Sequence, residues 1–380
     1  MSKGKKNILI IMGRYLPGYK DGGPVRSIKN LIDFIGDEYN FHILTCDRDH
    51  GDVEPYPNIK VNEWNQVGKA KVFYVPPKGF TFKVIKTLAK QVDLLYICGC
   101  FNDYAVHTLI LKRLGFIKKP VVVAAMGLFS PMEFQLKYKK KKIFTTIFNS
   151  LGLFKNIYWS ATSPMEIDEI AQQIKIHDNF FIAEDLPRKV DGTSIKKHKE
   201  AGSLRVVWIS RIAPKKNLLG TIQILKSVRS QVEFTIYGPK HVEDYWEKCE
   251  KELKSLPKNI DWSWKGNIES EKVVENLKPY HLFLFPTLGE NYGHVIQEAL
   301  SAGCLCIVSD QTPWSDLDLH EAGFVFPLDN LELYVKALES YADMDEKEFQ
   351  NVSRKAKQYA LIKNIEKIDN NGYREMFNTL

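Results

Sequence analysis

No apolar stretch of the 380-residue chain approaches the ~20 residues that a helix needs to span a bilayer. The first residues, Met-Ser-Lys-Gly-Lys-Lys, run into an apolar segment at 7–12 that is too short for a signal-peptide core and lacks a small-residue cleavage site. A cytoplasmic protein is expected, either soluble or peripheral on the membrane. Cysteine is sparse, at six residues, four of them in the pairs Cys98/Cys100 and Cys304/Cys306 within apolar, strand-like runs. Residues two apart on a strand share a face, so packed thiols in a reducing compartment are expected, not a disulfide framework or a zinc site. Excess charge is also small. Lys+Arg 53 against Asp+Glu 46 leaves +7, below the surplus of a dedicated nucleic-acid binder, and no nucleic-acid partner is expected. No short-period repeat occurs, and the one low-complexity tract is the lysine run at 139–142.

What is present is an alternation of apolar runs and amphipathic segments. Strands are expected at 7–12, 41–46, 71–75, 93–98, 120–125 and 156–161, then at 204–210, 232–237, 260–264, 282–285 and 304–309. Such alternation predicts parallel sheets with helices on both faces, and the length predicts two of them. The fold class is therefore α/β with two doubly wound, Rossmann-like domains. The polar, charged stretch 183–202 reads as the connection, giving domains at 1–190 and 191–355 and terminal helices at 356–380. Tyr359, Leu361, Ile365, Ile368, Tyr373 and Phe377 in those helices need a surface to bury them.

The densest functional signal lies between the runs 282–285 and 305–308, where Glu290 and Glu298 are separated by seven residues. A helix is expected from about Gly293, with Gly303 ending it in a left-handed conformation. Its free N–H groups then point into the crevice where open α/β sheets bind ligands, a place suited to phosphate. Arg211 and Lys216 leave the end of another strand on a short loop, and such cations engage a diphosphate, Arg as a fork and Lys as a point charge. Each feature has a plainer account. The carboxylates stabilise a helix N-terminus by about 0.3–1 kcal/mol, and the cations solvate a loop. Cations and carboxylates nevertheless fall at one edge of one expected sheet.

After the first strand come Gly13, Gly18, Gly22, Gly23 and Pro24, with a helix from about Val25. Such glycines either let backbone approach a ligand or simply make a turn. Their spacing departs from Gly-x-Gly-x-x-Gly, which weighs against a nicotinamide dehydrogenase.

These residues bring the second half of the chain to a resemblance. Its Glu290/Glu298 segment, its Arg211/Lys216 pair and the Ser-Asp-Gln-Thr-Pro-Trp run at 309–314 resemble the retaining glycosyltransferases of family 4, which have the GT-B fold. More loosely, Gly22, Gly23 and Pro24 resemble that family's N-terminal glycine loop, and 120–131 its cleft-lining strand and loop. The resemblance implies a hexosyltransferase that carries a sugar from a UDP- or GDP-linked donor to a glycan or lipid-linked acceptor, in surface polysaccharide or lipopolysaccharide synthesis. It implies that Arg211 and Lys216 neutralise the diphosphate, Glu298 accepts from the ribose hydroxyls and Glu290 contacts the donor sugar. It further implies that Asn291, Tyr292, Gly293, His294 and Val295 face the phosphates, that Gly266, Asn267 and Ile268 lie near the base, and that the last helix returns to the first domain. No metal or other cofactor is then required, and none of the Asp-x-Asp triplets is assigned to one.

Met126 stands where many members carry histidine, and a thioether neither donates a hydrogen bond nor exchanges a proton. His107, on a helix-like stretch, reads as structural. A noncatalytic nucleotide-sugar-binding subunit and a sugar-nucleotide epimerase therefore remain open readings. On the acceptor side, 134–154 joins the lysine run to aromatic and aliphatic residues. It forms either an interfacial helix on an anionic membrane or a core-facing helix with solvated lysines.

Overall fold

The computed structural model describes residues 4–20, 22–135, 137–175, 178–188, 196–369 and 371–380. They divide into two compact units, one of Met1–Leu186 with Lys367–Leu380 and one of Pro187–Glu366. The expected junction at 190/191 lies outside the described residues. The expected break at 356 falls inside a continuous helix.

In the first unit the order is β1 (Asn7–Ile11), α1 (Gly23–Ile35), β2 (Asn40–Cys46), β3 (Trp64–Val67), β4 (Ala70–Val75), α2 (Phe82–Ala89), β5 (Leu94–Cys98) and α3 (Asp103–Arg113). It continues with β6 (Val121–Ala124), α4 (Pro131–Gln135), α5 (Tyr138–Ser150), β7 (Tyr158–Ala161), α6 (Pro164–Ala171) and β8 (Phe180–Ile182). The sheet order is β3-β4-β2-β1-β5-β6-β7-β8, parallel except where β3 pairs antiparallel with β4. Successive side chains on a strand point to opposite faces, and each face here has its own core. Leu9, Ile11, Leu95, Ile97, Val121 and Val123 pack on one side. Ile8, Ile10, Leu94, Tyr96, Val122 and Ala124 pack on the other, where Tyr373, Met376 and Phe377 of the last helix complete the layer.

The second unit contains β9 (Ser203–Ile209), α7 (Leu218–Leu225), β10 (Gln231–Tyr237), α8 (Glu243–Leu253), β11 (Ile260–Trp264), α9 (Val273–Leu277) and β12 (Leu282–Phe285). After these come α10 (His294–Ser301), β13 (Leu305–Ser309), β14 (Gly323–Phe326), α11 (Leu331–Asp343) and α12 (Glu346–Asp369), with α13 (Gly372–Thr379) belonging to the first unit. All six strands of its sheet are parallel, in the order β11-β10-β9-β12-β13-β14. Numbered within the unit, that is the 3-2-1-4-5-6 order of a Rossmann sheet.

Several expectations need correction. The strands β3, β8 and β14 were not expected: β3 has no apolar run, and those of β8 and β14 are only three residues long. Cys98 and Cys100 do not share a face: β5 ends at Cys98, Gly99 turns with φ 81, and the two thiols enter opposite cores. All six cysteines are buried and free, and burial pushes the Cys98 and Cys100 thiols up, which makes them inert packing groups. Ile365, expected to be buried, is 60% exposed, whereas Tyr359, Tyr373 and Phe377 are buried. Among the described residues no helix is long and apolar enough to cross a membrane.

Arg374 of α13 forks onto Glu38, with Nε 2.9 Å from Oε2 and Nη2 2.7 Å from Oε1. Nearby in the same unit, Asp185 follows β8, and burial pushes its carboxyl up to about 6 against the opposing hydrogen bond of Ser27. A carboxyl raised in the folded state costs stability where it must ionise. The penalty is complete above about pH 6 and is relieved as pH falls towards the unfolded value. Asp185→Asn is therefore expected to raise thermal stability near pH 8 by on the order of 1–3 kcal/mol, with a gain that shrinks towards pH 4. Melting both proteins across that range checks it. A gain independent of pH would refute the buried-charge account.

Candidate active site

Strand order reverses between β9 and β12, which pair directly in the middle of the second sheet. At such a reversal the two following connections diverge to opposite faces and leave a crevice beyond the strand ends. The loops that leave β9 and β12 carry Arg211 and Lys216 on one side, and Glu290 and the N-terminus of α10 on the other.

The first loop is short and tightly bonded. Arg211 is exposed. Pro214–Lys216 forms one 3-10 turn, and Asn217, at φ 53, starts α7 by accepting from the Gly220 amide at 3.1 Å. The same Asn217 donates Nδ2 to the Pro286 carbonyl at 2.7 Å, and the Leu288 amide donates to the Lys215 carbonyl at 2.9 Å. These bonds stitch the β9 loop to the β12 loop and bring Lys216 to Glu290. The two side chains form an ion pair, each 15% exposed. A charge-assisted pair this sheltered fixes both groups at the crevice.

The second loop ends in a left-handed turn at Gly293. The Glu290 amide donates to the Gln311 carbonyl at 3.0 Å, and Asn291 is exposed. Trp314 Nε1 donates to the Tyr292 carbonyl at 2.6 Å. Gly293 then turns with φ 79, a left-handed conformation that strains any side chain placed there. From this turn α10 starts at His294 and Val295, its first-turn amides aimed along the axis into the crevice. Glu298, one turn further, is 2% exposed. The helix ends at Ser301, with Gly303 at φ 69, as expected.

The β10 and β11 loops close the flank. The Ser210 amide donates to the Tyr237 carbonyl at 3.2 Å, the Ile212 amide to the Pro239 carbonyl at 2.9 Å, and the Gly238 amide to the Gly266 carbonyl at 2.8 Å. Asn267 is exposed, and Ile268 packs on the core. Lys240 Nζ lies 4.4 Å from the ring centroids of both Trp246 and Trp264. Twelve of the fourteen residues singled out for the site thus stand on the loops after β9, β11 and β12 and on the start of α10, at one edge of this sheet. Gly22 and Gly23 belong to the first unit, where they open α1 and a Cβ on either would meet nothing within 4 Å.

In the first unit, Met126 has φ 52 and Gly127 φ 73, two consecutive left-handed residues at the end of β6. Sequence reasoning missed what holds them. Glu166 is buried, and its carboxylate accepts from the Gly127 amide at 2.6 Å, the Thr162 amide at 2.7 Å and the Thr162 hydroxyl at 2.8 Å. The Ser-x-x-Glu pattern at 163–166, a helix-start signature, was the available signal. His107 contacts the Phe80 carbonyl through Nδ1 at 2.6 Å, which suits a structural role.

Residues 191–359 match the family model of Glycosyl transferases group 1. The matched residues include Arg211 and Lys216 on the β9 loop, Glu290 on the β12 loop and Glu298 on α10. None of the curated proteins matches the sequence. Among solved structures, HepE of Anabaena in complex with UDP and glucose is similar at a TM-score of 0.69, with 14% identity over 99% of this chain and 100% of that one. An α,α-trehalose-phosphate synthase (UDP-forming) from Burkholderia xenovorans, solved with glucose-6-phosphate, is similar at 0.67, with 12% identity over 95% and 97%. WaaG, a glycosyltransferase involved in lipopolysaccharide biosynthesis, is similar at 0.61, with 13% identity over 93% and 95%. The fold is GT-B.

Proposed function

We propose that the protein is a cytoplasmic, retaining glycosyltransferase of family 4 that moves a hexose from a UDP- or GDP-linked donor to a glycan or lipid-linked acceptor in surface polysaccharide synthesis. The observation that carries this reading is the Lys216–Glu290 ion pair between the β9 loop, which also carries Arg211, and the loop that leads into α10, at the strand-order reversal of the residues that match Glycosyl transferases group 1. UDP is the favoured nucleotide because HepE is solved with it.

Departure of a nucleoside diphosphate builds negative charge between the β9 loop and the start of α10. Arg211 and Lys216 stabilise that charge more in the transition state than before it, and the α10 amides add fixed dipoles, so the reading requires no metal. Lys216 is held by Glu290 in the ligand-free chain. Phosphate binding draws the ammonium away and leaves the Glu290 carboxylate to accept from hydroxyls of the donor sugar. Glu298 takes the ribose hydroxyls, and the loops at Gly238 and Gly266 flank the base. Met126 favours one other reading, a subunit that binds donor without turning it over.

Thermal stability with UDP, GDP, ADP and NAD tests the proposal. At about 100 times its dissociation constant a ligand adds about 2.7 kcal/mol, and UDP or GDP is expected to do so where NAD does not. Stabilisation by NAD alone would overturn the donor site. Binding without release of UDP from any UDP-sugar would favour the noncatalytic subunit.

A further inference from the structure

Helix α5 is apolar on two sides. Phe148 and Thr145 are buried and Phe144 packs against the core, as a surface helix requires. On the outward side Ile143, Ile147 and Leu151, four residues apart in succession, are 60%, 48% and 59% exposed. The end of α3 lies beside the last of them, because Arg113 Nε donates to the Leu151 carbonyl at 3.3 Å. The turn that follows α3 adds Leu114 at 64% and Phe116 at 54% exposure. Five large exposed apolar side chains on α5 and the adjoining end of α3 exceed the scattered exposure of ordinary surfaces.

The chain segments that carry them hold charge of one sign, although Asp93 lies 3.8 Å from Lys119. Residues 110–120 and 137–156 together hold ten Lys and Arg and no Asp or Glu. Lys139, Lys140, Lys142 and Lys155 are exposed, and Lys86 Nζ sits 4.1 Å from the Phe116 ring centroid. The expectation of a single helix over 134–154 is corrected here. α4 ends at Gln135, Lys137 turns with φ 62, and α5 starts anew at Tyr138, with the outward stripe on α5 alone.

We propose that this face of the first unit docks on a bilayer containing anionic phospholipid. Ile143, Ile147, Leu151, Leu114 and Phe116 enter the boundary between headgroups and acyl chains, and the lysines flank them at the phosphates. A second copy of the chain is a poor occupant, since a two-fold contact would press the same cations against each other. The contact is interfacial. Each cation near an anionic leaflet raises partitioning about fivefold, and the apolar stripe supplies what a surface attraction alone lacks. The inference adds a partner that the proposed transfer reaction does not itself require, and it stands apart from the choice of donor.

Cosedimentation of the full chain with vesicles tests it. Wild type is expected to bind phosphatidylcholine vesicles containing phosphatidylglycerol at least about tenfold better than pure phosphatidylcholine, and less well in high salt. Ile147→Asp with Leu151→Asp, and separately Lys139→Ser with Lys140→Ser and Lys142→Ser, are each expected to lose about tenfold or more while keeping the wild-type melting temperature. These positions are exposed, so the fold is spared. Wild type that does not bind, or variants that bind as well as wild type, would overturn the proposal. So would a concentration-dependent dimer abolished by the aspartates. The UDP-induced rise in melting temperature is read on the same samples, which keeps failure of the donor reading separate from failure of this one.

Discussion

Arg211→Ala is expected to lower the turnover of UDP-sugar by about 10²–10³-fold, a loss of about 2.7–4 kcal/mol of transition-state stabilisation. Arg211 leaves the end of β9 exposed, on a loop whose shape is set by Asn217, Pro286 and the Lys215 backbone. Truncation therefore removes a charge and not a support, and the melting temperature should stay within the small range typical of surface substitutions. The partition of the loss is informative. A group that acts on charge developed in the transition state lowers kcat with donor affinity largely kept, whereas one that holds the diphosphate equally throughout raises KM alone. UDP release from a UDP-sugar and UDP binding, measured on the same preparation, separate the two. A folded variant with full turnover would take Arg211 out of the mechanism.

Gly238→Ala is expected to be as severe for a different reason. Gly238 has φ 133, and a Cβ there would stand 1.8 Å from the Ser210 carbonyl oxygen and 3.5 Å from the Arg211 amide nitrogen. Both neighbours are backbone, so no rotamer relieves the clash and the β9 and β10 loops must separate. The cost is about 3 kcal/mol or more in stability. The bonds from Ser210 to Tyr237 and from Gly238 to Gly266 would break with it. Chemical denaturation gives the stability loss, and the UDP-dependent shift should vanish even where the variant still folds. Retained UDP binding at wild-type stability would mean that these loops do not form one unit.

The strands that could be read from sequence are the buried ones. β1, β5, β6, β12 and β13 are covered on both faces, so their apolar residues run without interruption. β3, β8 and β14 escaped notice because each lies at a sheet edge, three or four residues long and largely half-buried. The placement of the candidate residues was legible for a related reason: a charged residue on the loop that follows an apolar run stands past a strand end, where ligands of open sheets bind. The Lys216–Glu290 pair and the grip of Glu166 on Gly127 were not, because partners separated by tens of residues meet only once the sheet order is known. The lysine run was conspicuous, yet its apolar complement at Leu114 and Phe116 lies on another helix's end and has no periodicity to announce it.

Residues 367–380 complete a core begun by residues 8–43. On a ribosome, therefore, the first unit has all its strands long before it has its last layer. The slot for Tyr373, Met376 and Phe377 stays open while the whole second unit is made, and the second unit is the first that can close. Expression of 1–186 alone would freeze that unfinished state, with an oily gap over Ile8, Phe41 and Tyr96. A fragment that carries α13 in trans, or a rearranged chain that places it ahead of β1, is the soluble way to study the first unit by itself.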